Sequence, residues 1–205
     1  RVQEKEYGLT VKHTNYFNGD IQTYDDVFTG EQLNNIAFEI SALTYGYGSI
    51  DDVKSLHTMQ VPTGMVSVGK GNDNWFKIVE DYCRKNIPEL KDMSEGRHHV
   101  NLFSPRENAM YHEDSKDGWT VILYANQYWD INEGGETKFI LPVDMMENNE
   151  GIKSTALDYP VVLSIAPVPG RLLLFKGNLL HSATGFRNTW RFTPTIQFFE
   201  KEDNL

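Results

Sequence analysis

Two stretches in the first half of the chain carry apolar residues at helical spacing. In the first, Leu33, Ile36, Ala37, Ile40 and Leu43 recur every three or four residues, the stripe of a helix with one buried face. Thr29, with Gln32 three residues on, predicts a capping box at its start. The second stretch starts near Asn74. Trp75, Phe76, Ile78, Val79, Tyr82 and Cys83 form its stripe and Pro88 ends it, since proline cannot continue the ladder of N–H donors. Both stripes read as core-facing surfaces. Between them, Tyr45-Gly46-Tyr47-Gly48 fits either a strand edge or a substrate-facing loop.

From about residue 97 the pattern changes. Short runs rich in Val, Ile, Leu, Phe and Tyr, punctuated by Gly, Pro, Asn and Asp, predict strands at 97–104, 109–113, 119–125, 137–141, 160–166, 171–175, 179–184 and 191–199. Many short strands after a helical start predict an α+β, mainly β architecture: a sandwich or jelly roll with helices packed on one sheet. Residues 142–159 have little pattern and read as a long loop, of the kind that serves as a lid or binding loop. No repeat or low-complexity tract is present.

Composition narrows the function classes. The 205 residues suit one domain or a compact domain with one addition, with 40% hydrophobic and 23% charged residues. The net charge of −10 disfavours general binding to nucleic acid or an anionic membrane. Cys83 is the one cysteine, which excludes an internal disulfide and a Cys-rich zinc site. No apolar run approaches the roughly 18 residues that span a bilayer. Residues 1–10 are polar and charged, without the apolar core of a signal peptide. A soluble, cytoplasmic protein is expected.

The candidate chemistry begins at His112-Glu113-Asp114. In extended backbone, side chains two apart share a face, so an H-x-D segment aims an imidazole and a carboxylate at one point. His181 follows a turn and a buried strand, Pro169-Gly170 to Phe175, and a second turn at Lys176-Gly177-Asn178. Two histidines and one carboxylate form the facial triad suited to non-haem Fe(II), which leaves three coordination positions open. Arg191 and Thr193 follow on the last strand.

Taken in order, these segments resemble the Fe(II)- and 2-oxoglutarate-dependent dioxygenase superfamily, and within it the prolyl 4-hydroxylase-like branch. The residues that carry the resemblance are His112-x-Asp114, Tyr124-Ala125-Asn126, Glu133-Gly134-Gly135-Glu136-Thr137-x-Phe139, the Pro169-Gly170 to Phe175 turn and strand, His181-Ser182 and Arg191-x-Thr193. The resemblance implies a double-stranded β-helix, the cupin-like jelly roll, with N-terminal helices packed on the major sheet. It implies one oxygenase domain over 1–205, with 1–95 as helical buttress and flanking strands and 96–205 as the jelly-roll core. It implies His112, Asp114 and His181 as metal ligands and Arg191 as the clamp on the distal carboxylate of 2-oxoglutarate, aided by Tyr124 and Thr193, with Thr137 a lesser candidate. The implied activity is C–H hydroxylation of a prolyl residue in a peptide, or of an amino-acid-like small molecule, with Fe(II), 2-oxoglutarate and O2 consumed in making succinate and CO2. Ascorbate is a candidate reductant. The alternatives are a nucleic-acid base demethylase of the same superfamily and a catalytically silent jelly-roll binding module; neither nucleic acid nor membrane is expected as a partner.

Two departures bear on substrate contacts. Ala109 stands where relatives place a tyrosine, with Tyr111 expected to point away from the metal, and the 142–159 segment is longer than a simple link. Asp114 is present where halogenating relatives carry a small residue, which favours hydroxylation. Among the remaining candidates, adjacent His98 and His99 must face opposite sides of a strand and read as structural or solvent-exposed. His13 and His57 read as surface residues, and Trp119 as core packing. Arg187 competes with Arg191 for the clamp, and strand parity with Thr193 favours Arg191. Arg97 and Arg106 lie where substrate would approach. Asp25-Asp26 and Asp51-Asp52 read as solvated or turn residues, and Gly69-Lys70-Gly71 is too short for a phosphate loop.

Overall fold

The computed structural model describes residues 10–47, 65–68, 73–140 and 163–200. Two helices sit where the apolar stripes place them. Helix α1 is Gly30–Ser41. Its capping box forms as read: Thr29 Oγ1 accepts from the Gln32 N–H at 3.2 Å, and Gln32 Oε1 accepts from the Thr29 N–H at 2.9 Å. Helix α2 is Asn74–Asn86, burying Trp75, Phe76, Val79, Tyr82 and Cys83. Glu39 of α1 accepts from the N–H groups of Asn74 and Trp75, at 2.7 and 3.0 Å. That carboxylate caps α2, whose own N-cap residue Asp73 makes no side-chain cap hydrogen bond, and complements the positive end of its dipole.

The strands, in chain order, are β1 Lys12–Tyr16, β2 Ile21–Asp25, β3 Gly46–Tyr47, β4 Met65–Val68, β5 Ser94–Phe103, β6 Trp119–Leu123, β7 Thr137–Ile140, β8 Leu163–Ile165, β9 Leu172–Lys176, β10 Leu180–Ala183 and β11 Arg191–Phe199. Eight of them form one antiparallel sheet in the order β1-β2-β9-β6-β11-β5-β4-β3, and a second has the order β10-β7-β8. The segment predicted as a strand at 109–113 is not a regular one. It runs antiparallel beside β10 through isolated bridges, Asn108 to Thr184 and His112 to His181.

Strand alternation divides the core in two. Val100, Val121, Leu123, Leu172, Leu174, Ile196 and Phe198 face the helices and pack with Ile36, Ile40, Trp75 and Val79. Ile122, Tyr124, Leu173 and Phe175 face the other way, against Phe139, Ile165 and Leu179. The large sheet is therefore covered on both faces, which is why β9 reads Leu-Leu-Leu-Phe without alternation. Helices, large sheet and small sheet stack as three layers, the double-stranded β-helix with helices on its major sheet.

One open alternative is decided here and one expectation is corrected. The first half carries α1 and α2 together with strands, β1 to β4, which extend the large sheet at both edges. Gly46–Tyr47 pairs with β4, so the strand-edge alternative holds there. Asp25 is not a free turn carboxylate, because Arg171 grips both its oxygens, Nε at 2.7 Å and Nη2 at 2.9 Å, fixing the end of β2 to the start of β9. Asp26, by contrast, sits in the left-handed conformation of a turn. The 142–159 loop, His57, Asp51-Asp52 and Gly69-Lys70-Gly71 lie outside the described residues.

Candidate metal centre

His112 and His181 are a hydrogen-bonded antiparallel pair. Each N–H donates to the other's carbonyl at 3.0 Å, so their side chains leave the sheet on one face, side by side. Their ring centroids are 4.5 Å apart. Just past His112 the chain turns, and the N–H groups of Asp114 and Ser115 both donate to the Gly177 carbonyl at 2.8 and 3.1 Å. A Cβ on Gly177 would collide with the Ser115 side chain, so this close approach requires glycine. The turn swings the Asp114 carboxylate back over the two rings.

The result is a compact ligand set. Asp114 Oδ1 is 3.6 Å from His112 Nε2, and Oδ2 is 3.7 Å from His181 Nε2. The three groups offer ligand atoms that all lie within 4.8 Å of one another. Ligands bound at about 2.0–2.2 Å to one cation stand only slightly closer together. Each imidazole is oriented by its own backbone: His112 Nδ1 is 2.9 Å from the Met110 carbonyl, and His181 Nδ1 is 2.9 Å from that of Leu179. A carbonyl can only accept, so the proton sits on Nδ1 and the Nε2 lone pairs face Asp114. Thr120 Oγ1 donates to Asp114 Oδ2 at 2.6 Å and holds the carboxylate plane. This is the donor set and outer-shell support that a divalent transition metal such as Fe(II) needs.

The same cavity, about 250 Å³, also reaches Arg191, Thr193 and Thr137. Arg191 opens β11 and is 1% exposed. Its Nε donates to the Gly135 carbonyl at 3.0 Å, Nη1 and Nη2 make long contacts, 3.5 Å to Thr193 Oγ1 and 3.4 Å to Thr137 Oγ1, and the Tyr124 phenol is a further partner of the guanidinium. Phe103 and Tyr124 flank the guanidinium, with ring centroids 5.3 and 5.4 Å from it. Among the described residues no carboxylate forms an ion pair with it. Burial pushes its pKa down, and a buried cation of this kind is a strong seat for a carboxylate that can accept from both Nη groups. Tyr124 does not line the cavity. It stands behind it, donating to Thr137 Oγ1 at 2.7 Å, with its phenol kept neutral by burial.

The Gly134-Gly135 pair is what delivers the Gly135 carbonyl. Both glycines have positive φ, 74° and 86°, and a Cβ on Gly135 would enter the Phe186 ring. The motif read from the sequence thus builds the floor of the Arg191 pocket.

Other candidates fall elsewhere. Arg187 and Arg106 are exposed and absent from the cavity lining, whereas Arg97 lines its mouth. Ala109 lines the cavity and Tyr111 lies exposed. Trp119 packs on the helix-side core. His13 is exposed on β1, where it stacks on Tyr24.

His98 and His99 do face opposite sides, but neither is exposed. His98 points to the helices and stacks on Phe76 at 3.9 Å. His99 is 6% exposed and lines the cavity; Asn101 Nδ2 lies 3.3 Å from its Nε2, and its buried Nδ1 has no hydrogen-bond partner among the described residues. Burial, with help from Arg97, lowers its pKa from 6.5 to about 4. Sequence reasoning missed His99, Asn101, Thr195 and Gln197 in the cavity lining and Thr120 as the support of Asp114, and the signal was there as polar side chains alternating with buried apolar ones in β5, β6 and β11.

The His99 shift gives a pH prediction. Between about pH 6.5 and 4 the unfolded chain binds a proton at His99 that the folded chain refuses, so stability falls as pH drops through that window. The loss is on the order of 3 kcal/mol for the full shift. Urea unfolding of the metal-free protein at pH 7 and pH 5 should show the drop, and His99→Asn should flatten it. An unchanged slope in that variant would assign the acid sensitivity to other groups.

No family model and no curated protein matches this chain. Solved structures do. A viral collagen prolyl hydroxylase from Paramecium bursaria Chlorella virus-1, in complex with 2-oxoglutarate, is 12% identical with a TM-score of 0.57, covering 89% of this chain and 97% of its own. HygX from Streptomyces hygroscopicus, with nickel and 2-oxoglutarate bound, is 10% identical with a TM-score of 0.63, covering 89% and 83%. A prolyl hydroxylase from Trichoplax adhaerens, in complex with a hypoxia inducible factor peptide fragment, is 16% identical with a TM-score of 0.55, covering 93% and 83%. The chain therefore has the double-stranded β-helix fold of the 2-oxoglutarate/Fe(II) oxygenases, the prolyl hydroxylases among them.

Proposed function

We propose that this protein is an Fe(II)- and 2-oxoglutarate-dependent oxygenase. In this reading it hydroxylates an unactivated C–H bond of a prolyl residue in a peptide, or of an amino-acid-like substrate. The overall reaction is R–H, O2 and 2-oxoglutarate to R–OH, succinate and CO2. Residues 1–205 are read as one oxygenase domain acting in the cytoplasm, with ascorbate as a candidate reductant.

One observation carries the proposal: a two-histidine, one-carboxylate cluster and a buried arginine without an acidic partner among the described residues share one cavity. The first suits a metal and the second a dicarboxylate that bridges to it. Ferrous iron bound there, with 2-oxoglutarate and O2, would supply the oxidising power. The protein's part is geometry. His112 and His181 present Nε2 because the Met110 and Leu179 carbonyls hold their Nδ1 protons. Asp114 contributes the third ligand and a negative charge, locked by Thr120. Arg191 accepts the distal carboxylate, with Thr193 and Thr137 hydroxyls beside it and Tyr124 keeping Thr137 in place. A ligand set with its carboxylate intact favours hydroxylation over halogenation. The net charge of −10 argues against a nucleic-acid substrate, and the intact triad against a silent binding module.

The test is succinate formation from 2-oxoglutarate. Turnover is expected to require Fe(II), to stop with EDTA and to return when Fe(II) is restored in excess. Turnover that survives metal removal would overturn the reading.

A further inference from the structure

We infer that Arg97 docks a carboxylate of the molecule being oxidised, and that the preferred substrate is a free amino acid whose amino group meets Glu113. This rests on the oxygenase reading above and deepens it.

The register of the large sheet makes the cavity wall a ladder of rows. Gln197 pairs with Arg97 on one side and with Thr120 on the other. Thr120, which holds Asp114, therefore stands in the row of Arg97, two strand spacings away, or about 9–10 Å between backbones. The next row inward is Ile122, Thr195 and His99; then come Thr193 with Asn101, and Arg191 with Phe103. Rows on one face are about 6.5–7 Å apart. Arg191 is thus three rows from Arg97, along the strand direction, while Arg97 is displaced sideways. A five-carbon diacid that joins the metal to Arg191 runs down the rows and leaves the Arg97 side of the cavity to a second molecule.

Charge says what that molecule carries. Arg97 is exposed at the cavity mouth and, among the described residues, forms no ion pair, on a chain with an excess of ten negative charges. Glu113, also lining the cavity and exposed, likewise has no ion-pair partner. An unpaired guanidinium and an unpaired carboxylate around one cavity of about 250 Å³ match a small zwitterion. Beside Arg97, His99 presents a neutral ring and Gln197 an amide, so no further charge competes for the carboxylate. A guanidinium reaching inward from Arg97 would hold a bound amino acid with its side-chain carbons over the metal cluster.

The test uses full-length protein loaded anaerobically with Mn(II) and 2-oxoglutarate, titrated calorimetrically with the proteinogenic L-amino acids, their amides, their N-acetyl forms and dipeptides ending in the same residues. The expected result is at least one free acid that binds, with its amide at least tenfold weaker. Arg97→Gln should erase that difference and leave 2-oxoglutarate affinity unchanged, and Arg97→Lys should restore part of it. N-acetylation should weaken binding in the wild type but not in Glu113→Gln. Dipeptides binding as well as the free acid, with the Arg97 dependence kept, would overturn the free amino acid in favour of a chain terminus. Equal binding of acid and amide, binding by no acid, or discrimination retained in Arg97→Gln would overturn the docking role. Failure to load 2-oxoglutarate at all would instead sink the oxygenase reading, and this inference with it.

Discussion

Asp114→Ala is expected to abolish 2-oxoglutarate turnover. The substitution removes one of three ligands and the negative charge that offsets a divalent cation, leaving two neutral imidazoles. Loss of an outer-shell partner alone costs roughly 10–100-fold in metal affinity, so loss of this ligand should exceed about 100-fold. The fold should persist: Asp114 is tied to the turn through its backbone N–H, which alanine keeps, and the side chain's hydrogen bond from Thr120 is worth roughly 1–3 kcal/mol. Calorimetric Mn(II) titration and a melting curve separate the two effects. Undiminished turnover in this variant would count directly against the proposed centre.

Arg191→Met is the second large effect, and it acts on the other end of the co-substrate. Removing one partner of a buried, hydrogen-bonded charge pair costs about 2–5 kcal/mol, so the KM for 2-oxoglutarate should rise roughly 30-fold or more. Metal affinity in the absence of 2-oxoglutarate should stay near wild type. Stability should not collapse, because the guanidinium is buried without an acid and a methionine replaces an unfavourable charge with apolar volume. The Gly135 carbonyl loses a donor, which limits any gain. Succinate assays across a 2-oxoglutarate range decide it; an unmoved KM would remove Arg191 from the clamp.

The sequence was most legible where one period dominates. The helical stripes at 33–43 and 75–83 and most strands after residue 97 have one residue type facing one environment, so the pattern survives in the fold. β1 and β2 were missed for a physical reason. β1, Lys-His-Thr-Asn-Tyr, is an edge strand with little burial, and β2 buries Gln22 and Thr23, with one partner of Gln22 far off in the chain. Gln22 Nε2 donates to Glu89, 67 residues away, and its Oε1 accepts from Tyr24. No local pattern announces such a partner.

The site divides the same way. The grouping of His112, Asp114 and His181 was legible from the order of the motifs, although a turn rather than an extended H-x-D strand brings Asp114 to the two rings, and Arg191 rather than Arg187 lines the cavity. The parts played by His99 and Thr120 were not legible, because the large sheet is buried on both faces and only the stacking of the small sheet decides which face holds the cavity. Asp25 was misread for want of Arg171, its partner 146 residues on.

The account stands or falls on whether one metal and one 2-oxoglutarate meet at this cluster. Anaerobic titration of the metal-free protein with Fe(II) and 2-oxoglutarate measures that directly. The prediction is a weak visible charge-transfer band that needs both components, saturates at one equivalent of each per chain and is lost in Asp114→Ala. A protein that shows no band at saturating concentrations of both, or an equal band in the variant, would contradict it.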